Sequence, residues 1–194
     1  RNGKQQGHLN SDLTPLGIEQ ARRAAARLSR ESCDIIYSSA LGRAVQTAEI
    51  IARQTGLAMK SDSGLNERNL GILQGHTLKK FAASYPAEHA RFISGDPDYI
   101  IPGGESVRQR YDRTIRTITA IAGANDGKRI ALVTHGGNLD SLFRHVLEIP
   151  LARPRNFSLM NASLNVLSVE GGAWKVESWG DVSHLADIGA LDDF

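Results

Sequence analysis

Apolar residues recur at helical spacing at Leu16, Ile18, Ala21, Ala25 and Leu28, directly behind Thr14-Pro15. A threonine hydroxyl can cap free backbone N–H groups and proline suits the first helical position, so a helix is predicted over 15–30. The β-prone run 34–37 stops at Ser38-Ser39, and a second helix then carries Arg43, Ala44, Ala48, Ile51 and Ala52 toward a cap at Gly56. Residues 57–60 read as a weak strand. The stretch 65–75 has the glycine and asparagine content of an irregular loop.

Helical patterns return at 77–85 and 106–122, separated by the turn signals Ser94-Gly95-Asp96-Pro97 and Pro102-Gly103-Gly104, so this middle section reads as an insertion. Residues 129–134 form a continuous apolar run suited to a central parallel strand buried on both faces, and it ends abruptly at His135-Gly136-Gly137. A helix is predicted over 139–147. Residues 163–169 and 174–179 then alternate around Gly171-Gly172 as a β-hairpin, expected to supply an antiparallel edge strand. Strands alternating with helices predict an α/β fold, a three-layer sandwich with a mostly parallel central sheet. A length of 194 residues suits a single domain over 1–194.

Composition adds a packed core, with 41% apolar and 23% charged residues. The net charge of +2 arises from 23 basic and 21 acidic residues without a basic block, which argues against nucleic-acid and membrane-surface partners. No apolar run approaches a membrane span. Cys33 is the only cysteine, so there is no disulfide framework and no CxxC motif, and a cytoplasmic location is expected. The chain opens in polar, loop-like sequence with no strand ahead of it.

Ligands of open α/β sheets bind beyond the C-terminal strand ends, which singles out three places. Arg43 lies in the loop and helix start after Ser38-Ser39, where backbone donors and a planar cationic fork suit a phosphoryl group; an ordinary surface arginine is the competing reading. His135 ends the apolar strand, followed by two glycines that permit close backbone approach, and competes with a helix-capping histidine. Glu67 lies in the glycine-bearing loop and competes with a solvated carboxylate paired to Arg68. The remaining histidines show no metal spacing, and GxGxxG, GxxxxGK[ST] and GxSxG are absent, so no metal and no cofactor are expected. Gly103-Gly104-Glu105-Ser106 reads as a turn leading into a capped helix. Arg22, Arg23, Arg27, Arg108, Arg110, Arg113 and Arg116 read as solvated helix faces. Trp174 and Trp179 read as packing residues or as a dimer edge.

Several stretches taken together resemble the histidine phosphatase (phosphoglycerate mutase-like) superfamily. They are Leu13-Thr14-Pro15-Leu16-Gly17, Tyr37-Ser38-Ser39-Ala40-Leu41 running into Arg43-Ala44-Val45-Gln46-Thr47-Ala48, Leu65-Asn66-Glu67, Pro102-Gly103-Gly104-Glu105-Ser106 and Val133-Thr134-His135-Gly136-Gly137. The resemblance implies a phosphoglycerate mutase-like fold and phosphoryl transfer to a histidine in an Arg-His-Gly motif. That motif is expected just ahead of Arg1, at the end of a first strand. It further implies that Arg43 clamps phosphate oxygens and that His135 is the second, non-nucleophilic histidine. Glu67 would be the proton donor and later the base, with a carboxyl pKa raised toward neutrality. Gln6, Gly7 and Gly136 would line the phosphate site, and 76–105 would be a helical insertion over it. The expected activity is hydrolysis of a small phosphorylated metabolite. A phosphoglycerate mutase and a catalytically inactive phospho-ligand-binding protein are the alternatives, and a homodimer is possible.

Overall fold

Thr14 caps the first helix as its position demands, accepting the Gly17 N–H at 3.1 Å with Pro15 in the first turn. The computed structural model describes residues 3–188. Helix α1 (Pro15–Leu28) buries Ala21, Ala24 and Ala25, while α2 (Gly42–Thr55) buries Ala44, Ala48 and Ile51; these mostly small residues let the two helices pack together. Gly56 ends α2 in the left-handed region, at φ 72°.

Strands β1 (Ile35–Ser38), β2 (Met59–Ser61) and β3 (Ile130–Val133) form a parallel sheet in the order β2-β1-β3. Ile36 pairs with Met59 on one side and Ala131 on the other, and Ser38 with Ser61 and Val133. The pleat sends alternate residues to opposite layers. Ile36, Ala131 and Val133 pack toward α1 and α2, whereas Tyr37, Ile130 and Leu132 pack toward Leu65 and the helices α5 (Val107–Gly123) and α6 (Gly136–Val146). This is the predicted three-layer α/β architecture. Helices α3 (Leu78–Ser84) and α4 (Pro86–Ile93) enclose a smaller cluster of Leu73, Phe81, Tyr99 and Ile101. No helix among the described residues is long and apolar enough to cross a membrane.

The structure corrects the pattern in four places. Helix α4 was not foreseen, although Pro86 sits in its first turn. Helix α6 starts at Gly136 rather than at 139, because His135 itself takes the N-cap position. The residues of β3 are only half-buried, since β3 pairs with β1 on one side and with no strand on the other among the described residues. Finally, β4 (Leu164–Glu170) and β5 (Ala173–Asp181) form a separate two-stranded sheet instead of an edge of the parallel one. Side chains, not ladder bonds, attach this hairpin: Trp179 stacks on Phe143 of α6 at 4.3 Å, and Leu167 and Trp174 join the α5–α6 core. Both tryptophans therefore pack.

Candidate active site

The C-terminal ends of β1 and β3 run side by side, with the Ser39 N–H donated to the Val133 carbonyl at 2.9 Å. His135 follows at the N-cap of α6 in extended conformation, yet its ring does not cap the helix. The ring turns inward, 8% exposed, and its Nε2 lies 2.7 Å from the Ser39 hydroxyl. That hydroxyl spends its single proton on Asn66 Oδ1 at 3.0 Å, an oxygen that also accepts the Ala40 N–H. Ser39 Oγ therefore accepts from His135, which places the imidazole proton on Nε2. Burial pushes the His135 pKa down to about 4; Arg43, His8 and Arg113 push the same way, and Glu67 opposes them. The ring is neutral at pH 7.

Glu67 is held by a densely bonded loop. The Leu65 carbonyl accepts from Thr134 Oγ1 and Asn138 Nδ2, and the Asn66 carbonyl from Asn138 and Arg113. The Glu67 carbonyl accepts from His8 Nε2 at 2.7 Å and from Arg113 at 3.3 Å. Its carboxylate accepts the Arg68 N–H at 2.7 Å and, from the first turn of α6, the Gly137 N–H at 3.0 Å. Arg68 itself turns to Glu105 and Tyr99, so the anticipated solvated Glu67–Arg68 pair does not form. Burial pushes the Glu67 carboxyl upward, but the His135 ring, Arg110 and the two backbone donors outweigh it. The net shift is downward, which overturns the expected rise toward neutrality: charge and donors around a buried carboxylate exceed its desolvation.

Arg43, in the first turn of α2, donates to the Gly7 carbonyl at 2.9 Å and the Leu9 carbonyl at 3.3 Å. Gly7 has φ +52°, and a side chain there would collide with Gln74. The Gln6 side chain donates to Ser11 Oγ at 3.1 Å, within the N-terminal loop whose Gly7 and Leu9 carbonyls accept from Arg43. Gly136 is buried beside His135. The structure thus gathers His135, Glu67, Gly136 and Arg43 at the strand ends, reaches Gly7 through its carbonyl, and ties the Gln6 side chain to Ser11.

Several participants escaped the sequence reading. Ser39 and Asn66 orient His135, and Asn138, fully buried, ties α6 to the Glu67 loop. Arg110 and Arg113 are not solvated, in contrast to Arg108 and Arg116 on the same helix. Arg110 is 6% exposed and bonds Asp140 and Ser141, while Arg113 clamps the carbonyls of Gly64, Asn66 and Glu67. The signal was present: Arg110, Thr114, Ile118 and Ile121 occupy one buried helical stripe, which marks Arg110 as inward-facing.

A neutral inward histidine, an ionised glutamate and an arginine meeting at a helix N-terminus beyond parallel strands define a site for an anionic group. The sequence matches the Histidine phosphatase superfamily (branch 1) over residues 1–182, and the chain belongs to that superfamily. It is 41% identical to phosphoglycerate mutase-like protein 4 of Arabidopsis thaliana, across 97% of this chain and 82% of the relative. It is 38% identical to the metal-independent phosphoserine phosphatase of the same plant, across 97% and 79%. The phosphoserine phosphatase of Entamoeba histolytica in complex with 3-phosphoglyceric acid superimposes with a TM-score of 0.82 at 27% identity, across 95% of this chain and 91% of that one.

Proposed function

We propose that this protein hydrolyses small phosphomonoesters through a phosphohistidine intermediate, without a metal. The observation that carries the reading is the placement of His135 and Glu67 around the first turn of α6, with Arg43 close enough to weigh on the charge of His135. In the first step the phosphoryl group leaves the ester oxygen for an imidazole nitrogen: the P–O bond breaks, an N–P bond forms, and the leaving oxygen takes a proton. In the second, water attacks phosphorus, the N–P bond breaks, and the water proton is taken up. The covalent nitrogen belongs to the Arg-His-Gly motif of the family resemblance, which these 194 residues do not contain.

Arg43 offsets charge on the transferring group. The arriving anion raises the proton affinity of the His135 ring, whose second nitrogen, once protonated, donates to the group while Nε2 stays on Ser39. Glu67 donates the proton of the first step and recovers it in the second. It rests ionised, but an arriving phosphate anion adds like charge beside it and raises its proton affinity as substrate binds. Residues 76–105 form the cover of the site in this reading. Their entry is stitched to the N-terminal loop, since Gln5 donates to the His76 carbonyl and accepts from Gly75, and Gln74 Oε1 accepts the His8 N–H.

Phosphatase assays on the protein with that Arg-His-Gly motif present test the proposal. His135→Ala or Arg43→Ala should each lower kcat about 10²- to 10³-fold; near-native rates in both variants would sink these roles. The 41% identity to a phosphoglycerate mutase-like protein supports a second reading. Incubation with the two phosphoglycerate isomers separates them: interconversion without free phosphate marks a mutase, steady phosphate release a phosphatase. Phosphate binding with neither activity marks a binding protein.

A further inference from the structure

Arg110 lies on α5 and takes no part in the reaction above. Its Nη2 donates to Asp140 Oδ2 at 3.0 Å and its Nε to Ser141 Oγ at 3.2 Å, both inside α6. Asp140 also accepts from Arg144 Nε at 2.9 Å, and Arg144 continues to the carbonyls of Pro150 and Arg153. All three charged groups are nearly inaccessible, with side chains 8%, 12% and 5% exposed for Arg110, Asp140 and Arg144. One carboxylate thus serves two buried guanidinium groups and leaves the cluster one positive charge in excess.

The excess points at Glu67. A methyl group at Gly137 would lie 2.7 Å from Arg110 Nη1 and 3.0 Å from Glu67 Cδ, so both groups crowd the same face of the first turn of α6. That turn already donates the Gly137 N–H to Glu67. We propose that Arg110 is a positioning residue for Glu67: anchored on Asp140 and Ser141, its guanidinium holds Glu67 as a carboxylate against α6 and so fixes when Glu67 carries a proton. The other titratable and charged groups around Glu67 are His135 at the N-cap of α6, neutral at pH 7, His8 in the N-terminal loop, Arg113 on α5 and Arg68 on its own loop. His135 is about as deeply buried but uncharged, whereas Arg110 is a permanent cation, anchored on Asp140 and Ser141, whose charge reaches the carboxylate. The proton role given to Glu67 rests on the phosphatase reading; the arrangement of charges does not.

The test is direct titration of Glu67 in the full chain, by carbon-13 NMR of glutamate labelled at Cδ, with the resonance assigned through its loss in Glu67→Gln. Arg110→Met keeps the side-chain length without the charge and should raise the Glu67 midpoint by about one pH unit or more. Arg110→Lys should hold it near the native value, and Asp140→Asn, which leaves Arg110 less compensated, should lower it. An unmoved midpoint in Arg110→Met overturns the proposal. If that variant does not fold, Asp140→Asn decides, with a lowered midpoint supporting the role and an unchanged one overturning it. The pH profile of p-nitrophenyl phosphate turnover should shift with the midpoint. A shifted midpoint in a protein that carries the Arg-His-Gly motif yet shows no turnover sinks the phosphatase reading and leaves the Arg110 role standing.

Discussion

Gly137 has no room for a side chain, because a Cβ there would overlap the Glu67 carboxylate and press on Arg110. Arg110 is buried and Glu67 half-buried, and both are multiply bonded, so neither can swing away cheaply. Gly137→Ala should displace Glu67 by a fraction of an ångström to an ångström and reduce kcat about 10²-fold with a smaller effect on KM; unchanged turnover would show that the contact is soft. His135 carries a second residue-scale consequence. Its folded pKa of about 4 lies below its ordinary 6.5, so the unfolded chain binds the proton more readily. The stabilising contribution of the neutral ring is complete above pH 6.5 and is lost as pH falls toward 4. From the size of the shift the loss is at most about 3 kcal/mol. Urea unfolding at pH 7.5 and 4.5 should show a steeper decline in the native protein than in His135→Asn, and equal declines would refute the buried-neutral assignment.

At the scale of elements, α5 and α6 act as one clamp on the Glu67 loop. Thr114 of α5 donates to Asn138 Oδ1 at 2.8 Å, and Asn138 of α6 passes its amide protons to Leu65, Asn66 and Thr134. Thr114 and Asn138 are completely buried, so Thr114→Val leaves the amide oxygen without a donor. Equilibrium unfolding should register a loss of about 1–3 kcal/mol; a neutral substitution would mean that the loop reorganises around the missing bond. These links explain what the sequence could and could not disclose. Local signals announced α1, α2 and α5, since Thr14-Pro15, Gly56 and Ser106 act within a few residues of where they sit. Glu67 and His135 could be singled out because they follow or precede recognisable elements. Ser39, Asn66 and Asn138 could not, because their partners lie up to 96 residues away along the chain. The protonation of Glu67 was misjudged for the same reason. Burial was foreseeable, but the compensating Arg110 and Gly137 N–H arrive from separate helices.

At the scale of the molecule, a net charge of only +2 gives no general attraction for anions, so any phosphate affinity must be built locally. The sandwich does this by ending β1 and β3 together and starting α2 and α6 from those ends, which concentrates Arg43, His135 and backbone donors at one edge of the sheet. Only the folded chain assembles that edge, so phosphate should stabilise the whole molecule by mass action. At a concentration 100-fold above its dissociation constant the gain is about 2.7 kcal/mol. For a domain of this size that corresponds to a rise in Tm of roughly 5–10 °C. Sodium chloride at matched ionic strength should give little of this rise, and Arg43→Ala should forfeit most of it because the planar fork for the phosphate oxygens is gone. An equal rise in Arg43→Ala would place the bound anion elsewhere on the surface, and no rise in the native chain would mean that the strand-end edge does not bind free phosphate.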